Sequence, residues 1–390
     1  MYGILGSVYP AFQLIGAPFL GKWSDIYGRK KILLLSVIGT LAGWIIFLTA
    51  FFAPMSVLFN FNSPYLGIFI ITLPLVILFL ARAIDGITGG NISVANAYLA
   101  DITDEKARNK NYGKMSISSN FGFIAGPLLA GLLGSTEYKE MLPVLAAIII
   151  SLSAVIVIIF YLPESKPQTF EEKPEKKIVN KVLGFQHKEC YKIKSDNKIT
   201  LKKVLKIPYI SYILLLYFLI FLGFNFYYTA FPVHVIQKLG WSITDMGIFF
   251  SVLSLLMIIV QGPVLSYLSQ KFSESILIIF GNLILGTNFV LLFSGQLIII
   301  YISAALFAIG NGLMWPSVLS ILSKTAGKVY QGSVQGFASS LGSLASIIGL
   351  IAGGLLYSKI GSATFLIAAA AIYLVFALSF RLLKIEKKVN

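Results

Sequence analysis

Charge is scarce in this chain, and so are cysteine and histidine. Only 12% of its 390 residues are Asp, Glu, Lys or Arg, against the roughly 25% of soluble domains. A large soluble core therefore does not fit. With 57% hydrophobic residues, the composition reads as an all-α polytopic membrane protein. Cys190 is the only cysteine, which excludes an internal disulfide. His187 and His234 are the only histidines, and His187-Lys188-Glu189-Cys190 offers too few ligands to close a zinc site. No metal and no cofactor is expected, and nothing points to an enzyme. Gly16-x4-Gly21-Lys22 has the outline of a phosphate loop, but Trp23 stands where Ser or Thr is needed and no strand precedes it. Asn91-Ile92-Ser93 has the glycosylation pattern but lies in an apolar span.

What is abundant is long apolar sequence. Eleven stretches can cross a hydrocarbon core of ~30 Å: Tyr2–Leu20, Ile32–Ala53, Leu75–Asp101, Tyr112–Leu133, Leu142–Leu162, Tyr209–Phe231, Met246–Leu268, Ile276–Phe293, Leu297–Leu322, Gly332–Tyr357 and Ala363–Leu383. Backbone in hydrocarbon must satisfy its own hydrogen bonds, so each is expected to be a helix. Leu66 to Asp101 is too long for one crossing. Pro74 is a natural break, so Leu66–Leu73 reads as an outer extension following the uncharged Pro54–Tyr65.

The charge that is present is lopsided, at +15 net. Lys139, Lys238 and Lys359 fall on one side of these spans and Arg82 inside one; every other Lys and Arg falls on the opposite side. That asymmetry orients the protein with its basic side, central linker and C-terminus in the cytoplasm. The expectation is a multi-pass monomer of the cell membrane whose partners are the lipid bilayer, a small-molecule substrate and protons, and not nucleic acid. Residues 163–207 hold twelve lysines, six acids and three prolines and read as a cytoplasmic linker. It joins an N-terminal bundle at 1–162 to a C-terminal bundle at 208–390.

The two parts repeat. Pro18-Phe19-Leu20 aligns with Pro263-Val264-Leu265 at an offset of 245, Gly86 with Gly310 at 224, and Gly131-Leu132-Leu133 with Gly354-Leu355-Leu356 at 223. The drop between offsets matches the extra segment around Pro54–Pro74. Weak internal repeats of this kind mark transporters built from two related halves. The partner of Tyr209–Phe231 falls before Met1, so the chain is expected to lack its first helix.

Between the first two spans lies a short polar hairpin, Gly21-Lys22-Trp23-Ser24-Asp25-Ile26-Tyr27-Gly28-Arg29-Lys30-Lys31. Gly21 and Gly28 permit the positive φ of a tight reversal. Asp25 and Arg29 share a face if one more helical turn forms. The pattern G-x-x-x-D-x-x-G-R-[KR]-[KR] resembles the loop between the second and third helices of major facilitator transporters. The likeness is to the drug:proton antiporter branch that includes the tetracycline-efflux proteins. A plain positive-inside hairpin would account for the lysines but not for the Gly/Asp/Gly spacing.

The resemblance implies the major facilitator fold, two pseudo-repeated helical bundles with 11 of the family's 12 spans here. It implies proton-coupled efflux of a drug or metabolite. It further implies that Gly21, Asp25, Gly28, Arg29, Lys30 and Asp101 form a gate that locks an outward-open state; separately, these charges are also ordinary solvated loop charges. Other readings of the chain are a symporter or facilitator for sugars or organic ions, and an inactive truncated membrane protein.

Arg82 and Asp85 lie near mid-span, where an ionised group costs ~2.5–3.5 kcal/mol and should face a cavity or a partner. The resemblance links Arg82 to proton coupling. Asp85, the one acid inside a span, either neutralises Arg82 or exchanges protons. The acid that many relatives carry in the first helix has no counterpart in this sequence. Gly122-x3-Gly126-Pro127-x-x-Ala130-Gly131 resembles the antiporter motif of the fifth helix, with Ala130 in place of a glycine. Its row Ser118, Gly122, Gly126, Ala130 and Gly134 is expected to let helices approach closely, and Pro127 to bend one. Candidate cavity residues are Gln13, Asn91, Asn96 and Asn120 in the first half and Asn225, Tyr227, Asn311 and Trp315 in the second. Gln13 matches a pathway-lining position of tetracycline-efflux proteins. Each of these polar groups also suits a bond to a neighbouring helix.

Overall fold

The apolar stretches become helices that run back and forth between one end, where most of the described lysines and arginines collect, and the opposite end, which carries few. The computed structural model describes residues 2–63, 67–134, 138, 141–165, 204–327 and 330–389. The linker expected at 163–207, with His187 and Cys190, lies almost wholly outside the described residues.

In the first half, α1 is Tyr2–Tyr27, α2 Arg29–Thr49, α3 Leu73–Ile87, α4 Asn91–Asp101, α5 Arg108–Gly134 and α6 Met141–Phe160. In the second, α7 is Ile210–Leu239, α8 Ile243–Ile259, α9 Leu265–Leu268, α10 Glu274–Leu292, α11 Leu297–Ala326, α12 Gln331–Ile360, α13 Thr364–Ser379 and α14 Leu382–Val389. Among the described residues, eight stretches are long and apolar enough to cross a membrane. The surface polarity suits that setting: Leu35, Ile38, Ile149, Ile150, Leu255 and Ile351 all face outward.

Three local expectations change. First, the polar stretch after Leu20 is not a loop. The helix α1 runs on to Tyr27, and Gly28 alone makes the turn with φ +98°. Gly21 is therefore helical, and its small size serves close packing rather than reversal. Second, the expected span Leu75–Asp101 is a broken helix, with Thr88–Gly90 between α3 and α4. Pro74 sits in the first turn of α3, where its missing N–H costs nothing. Third, the outer extension before it takes a form that its sequence left unassigned. It forms an antiparallel hairpin of β1, Val57–Ser63, and β2, Gly67–Thr72. Both strands are rich in aromatic and β-branched residues, which suit a pleated ribbon.

The two halves meet through α1 and α4 against α12, and α5 against α8 and α11. A π-helical turn at Val260–Val264 joins α8 to α9 and holds Pro263. In the second half the core is aromatic: Tyr227, Phe231, Phe249, Phe289, Phe307 and Phe365 are almost fully buried. The first half buries many small residues, among them Ala17, Ala81, Ala97 and Ala100, with Tyr112 its largest fully buried side chain.

Candidate functional site

The residues expected to form a gate meet at the basic end. Arg29 opens α2 and is 5% exposed. One terminal nitrogen donates to Asp25 Oδ1 at 2.6 Å and Ser24 Oγ at 2.7 Å, and its Nε donates to Asp101 Oδ2 at 2.8 Å. Asp25 also reaches into the other half. Its carboxylate accepts from Gly332 N at 2.8 Å, Ser333 N at 2.7 Å and Ser333 Oγ at 2.6 Å. These are free donors of the first turn of α12, so Asp25 caps that helix and meets the positive end of its dipole. The cap forms only if α1 and α12 touch backbone to backbone. A Cβ on Gly21 would lie 2.2 Å from Gly332 O, and one on Gly336 would lie 2.6 Å from Ala17 O.

A second carboxylate fixes the start of α2. Glu164, beyond the end of α6, accepts from Arg29 N at 2.6 Å and Lys30 N at 3.1 Å. Burial pushes its carboxyl above the usual range, although both N–H groups and Arg29 oppose the shift. Gly28 is fitted to this contact, since a Cβ there would lie 2.8 Å from Glu164 Oε2. Lys30 Nζ donates to Ile159 O at 2.9 Å, so it pins α2 to α6.

The repeat reproduces this construction with its charges exchanged. At the repeat offsets Arg29 corresponds to Glu274 and Asp101 to Lys324. Lys324 Nζ and Glu274 Oε1 are 2.7 Å apart and buried. Glu386 accepts from Glu274 N and Ser275 N, both at 3.1 Å, so it caps α10 as Glu164 caps α2. One element is not reproduced. The position matching Asp25 is Gln270, which is exposed, so the cap that crosses between the halves occurs in one direction.

Further polar bonds join the halves near this end and toward mid-helix. Asn96 Nδ2 donates to Gln335 Oε1 at 3.4 Å, Asn109 Nδ2 to Ser317 Oγ at 3.1 Å, and Asn120 Nδ2 to Gln261 Oε1 in the π-helical turn at 2.7 Å. Ser340 Oγ donates to Leu14 O.

The second cluster lies inside the first half. Arg82 and Asp85 are 3.9 Å apart, with side chains 37% and 17% exposed. The guanidinium carbon lies 5.8 Å from the Trp44 ring centre and 6.0 Å from that of Phe47, near the limit for cation–π attraction. Gly43, Trp44, Phe47 and Ala81 complete a small pocket around the pair. Three residues beyond Asp85 the helix breaks, and the freed Gly89 carbonyl accepts from Gln13 Nε2 at 2.7 Å. The same nitrogen lies 3.2 Å from the Tyr9 hydroxyl, and Gln13 Oε1 accepts from Ser343 Oγ of α12 at 2.8 Å. Gln13 thus ties the broken helix to the opposite half.

The other expected residues scatter. Asn91 accepts from its neighbour's N–H at 2.8 Å at the start of α4. Asn225 donates to Phe221 O and Ser346 Oγ. Asn311 approaches Met257 Sδ at 4.0 Å, with its carbonyl oxygen unpaired. Trp315 stacks near Tyr217 and Phe221. Tyr227 is locked among Phe231, Phe289 and Phe307 within the second half, a packing position rather than a cavity lining. A Cβ on Gly122 or Gly126 would meet nothing within 4 Å, so among the described residues these glycines bring no neighbouring helix close. Pro127 and Gly131 lie in α5, and their surroundings fall outside the described residues.

Sequence reasoning missed Ser24, Glu164, Gly332, Ser333, Glu274, Lys324 and Glu386. The Gly332-x3-Gly336 spacing carried a signal for Gly332, and the repeat offsets carried one for Glu274 and Lys324.

A family model described as Major Facilitator Superfamily matches residues 1–345 and 213–390. The class E tetracycline resistance protein of Escherichia coli is 28% identical over 358 residues, covering 92% of this chain and 78% of that protein. Multidrug resistance protein 2 of Bacillus subtilis (strain 168) is 27% identical over 360 residues, covering 91% and 79%. Among solved structures, the human organic anion transporter MFSD10 (TETRAN) superposes with a TM-score of 0.74 at 22% identity, covering 97% of this chain and 83% of that one. A bacterial homologue of the iron transporter ferroportin gives 0.71 at 14%, covering 97% and 89%. Both structural likenesses speak for the fold alone.

Proposed function

The chain belongs to the Major Facilitator Superfamily, and from that premise we propose that it expels small organic molecules, drugs or metabolites, in exchange for protons. Its relatives named for tetracycline and multidrug resistance support the substrate class. Two bundles, 1–162 and 208–390, would rock about the space between them in alternating access. The positive-inside asymmetry supports a cytoplasmic basic end, linker and C-terminus in the cell membrane. On that orientation the arrangement described is closed toward the cytoplasm by the Asp25 cap on α12.

The observation that carries the coupling is the Arg82–Asp85 pair. At 3.9 Å it is looser than a hydrogen-bonded ion pair, while Trp44 and Phe47 flank the guanidinium. Asp85 is therefore free to take or release a proton without dislodging Arg82. The adjoining break and Gln13 offer a path from that charge change to α12, because any shift at Gly89 alters the Gln13–Ser343 bond.

The test follows collapse of a respiration-driven pH gradient in inverted membrane vesicles, with a panel of drugs and metabolites added to the protein and to Asp85→Asn. Substrate-dependent proton release in the parent, lost in Asp85→Asn, is the expected result. No proton flux with any compound, despite correct insertion, would replace antiport by a facilitator or an inactive relative. Unchanged flux in Asp85→Asn would return Asp85 to a static partner of Arg82.

A further inference from the structure

We propose that the β1–β2 hairpin is a membrane-interface anchor that lies on the lipid leaflet at the end of the protein opposite its basic one. This inference rests on the membrane location and not on proton coupling.

No Asp, Glu, Lys or Arg occurs from Ile32 through Ala81. The hairpin therefore carries no charge, which is unusual for a connection that must leave the membrane. Its described side chains are also open: Phe59 is 66% exposed, Val57 54%, Ile70 51% and Leu58 43%. A patch of this kind needs a partner. The repeat shows that the segment is an addition, since the first half exceeds the second by about this length at this place.

Three observations choose lipid as that partner. The patch is continuous with the outward-facing apolar residues of α2 through Ile45, Phe51 and Phe52. Depth agrees: the 21 residues of α2 rise ~31 Å from the basic end, the thickness of a hydrocarbon core. The hairpin root therefore emerges at the far interface. The ribbon is also two-faced. Pairing sets Phe59 with Ile71 on one face and Asn60 with Ile70 on the other. The Phe59–Ile71 pair is wholly apolar, and the opposite face carries Asn60.

The ribbon has two strands, so each keeps an unpaired edge of N–H and C=O groups. Those edges exclude the hydrocarbon core, where they would find no partner. They can be satisfied by water and headgroups if the ribbon lies flat, phenylalanine face down. β2 passes into α3 without a linker, so the anchor also sets the height of the helix that bears Arg82 and Asp85.

The test replaces Cys190 by serine and places one nitroxide at position 59 through Phe59→Cys, or at position 60 through Asn60→Cys. The protein is held in phosphatidylethanolamine–phosphatidylglycerol vesicles, and relaxation by oxygen is compared with relaxation by a water-soluble nickel chelate. The oxygen-to-nickel ratio is expected to be several-fold higher at 59 than at 60. Ile71→Cys, which shares the face of Phe59, is expected to repeat the position-59 result and serves if Phe59→Cys does not fold. Equal, nickel-dominated ratios at both faces would overturn the proposal by placing the hairpin in water. Dipolar broadening at 59 that disappears on dilution with unlabelled protein would overturn it in favour of a second copy of the chain.

Discussion

Replacing Asp25 by asparagine tests whether the gate is a latch between the halves or a local knot of charge. Asp25 makes two kinds of contact. Its bond to Arg29 lies within the first half and survives opening, whereas its bonds to Gly332 N, Ser333 N and Ser333 Oγ cross between halves and must break. Hydrogen bonds to a charged group contribute ~1.5–3 kcal/mol each, but three sharing one carboxylate do not add fully. Asparagine keeps one acceptor oxygen and loses the charge that faces the α12 dipole. We therefore expect the latched state to lose ~2–4 kcal/mol relative to the open one, roughly a 30- to 700-fold change in their ratio at ~1.4 kcal/mol per decade. The assay is alkylation of a cysteine placed by Ser340→Cys, between α1 and α12, after Cys190 is replaced by serine. Modification should accelerate sharply in Asp25→Asn. Ser333→Ala, which removes only the hydroxyl bond, should accelerate it by a few-fold. An unchanged rate in a folded Asp25→Asn protein would refute the latch.

Other consequences follow from the same geometry. Gly332→Ala would drive a Cβ to 2.3 Å from both Gly21 O and an Arg29 nitrogen; α1 and α12 should separate, seen as the same accelerated alkylation with impaired transport. Glu274→Lys and Lys324→Glu should each destabilise the second half by ~3–5 kcal/mol, because each leaves buried like charges. The double exchange should recover most of that loss in thermal unfolding, and no recovery would deny the pair its charge-inverted equivalence to Arg29–Asp101. Glu164 has a folded pKa raised above its ordinary 4.5 by burial, so its protonated form favours the fold. Its contribution is full below about pH 4.5 and lost as pH rises through the raised value. The melting temperature of the parent relative to Glu164→Gln should therefore fall as pH rises through that window, and parallel curves would contradict the assignment.

Much of this was legible in the sequence for physical reasons. Hydrocarbon leaves the backbone few conformations, so apolar length alone located most helices, and the basic residues carry the proposed orientation. The short spacing of Asp25 and Arg29 announced a pair, which forms across the Gly28 turn rather than on one helical face. The Arg82–Asp85 spacing likewise required a pair one turn apart. What the sequence could not state is which distant group completes each local one. The carboxylate of Asp25 has two oxygens, and nothing near position 25 says that they cap a helix beginning at Gln331. Glu164 and Glu386 look like solvated acids until the chain brings them onto the starts of α2 and α10. Asn120 reads equally as cavity or contact until Gln261 in the π-helical turn meets it. The broken helix after Asp85 and the amphipathic hairpin depend likewise on partners, Gln13 for one and cross-strand register for the other. Local spacing determined which residues share a face; only the packing of two halves, separated by long stretches of chain, decided what those faces meet.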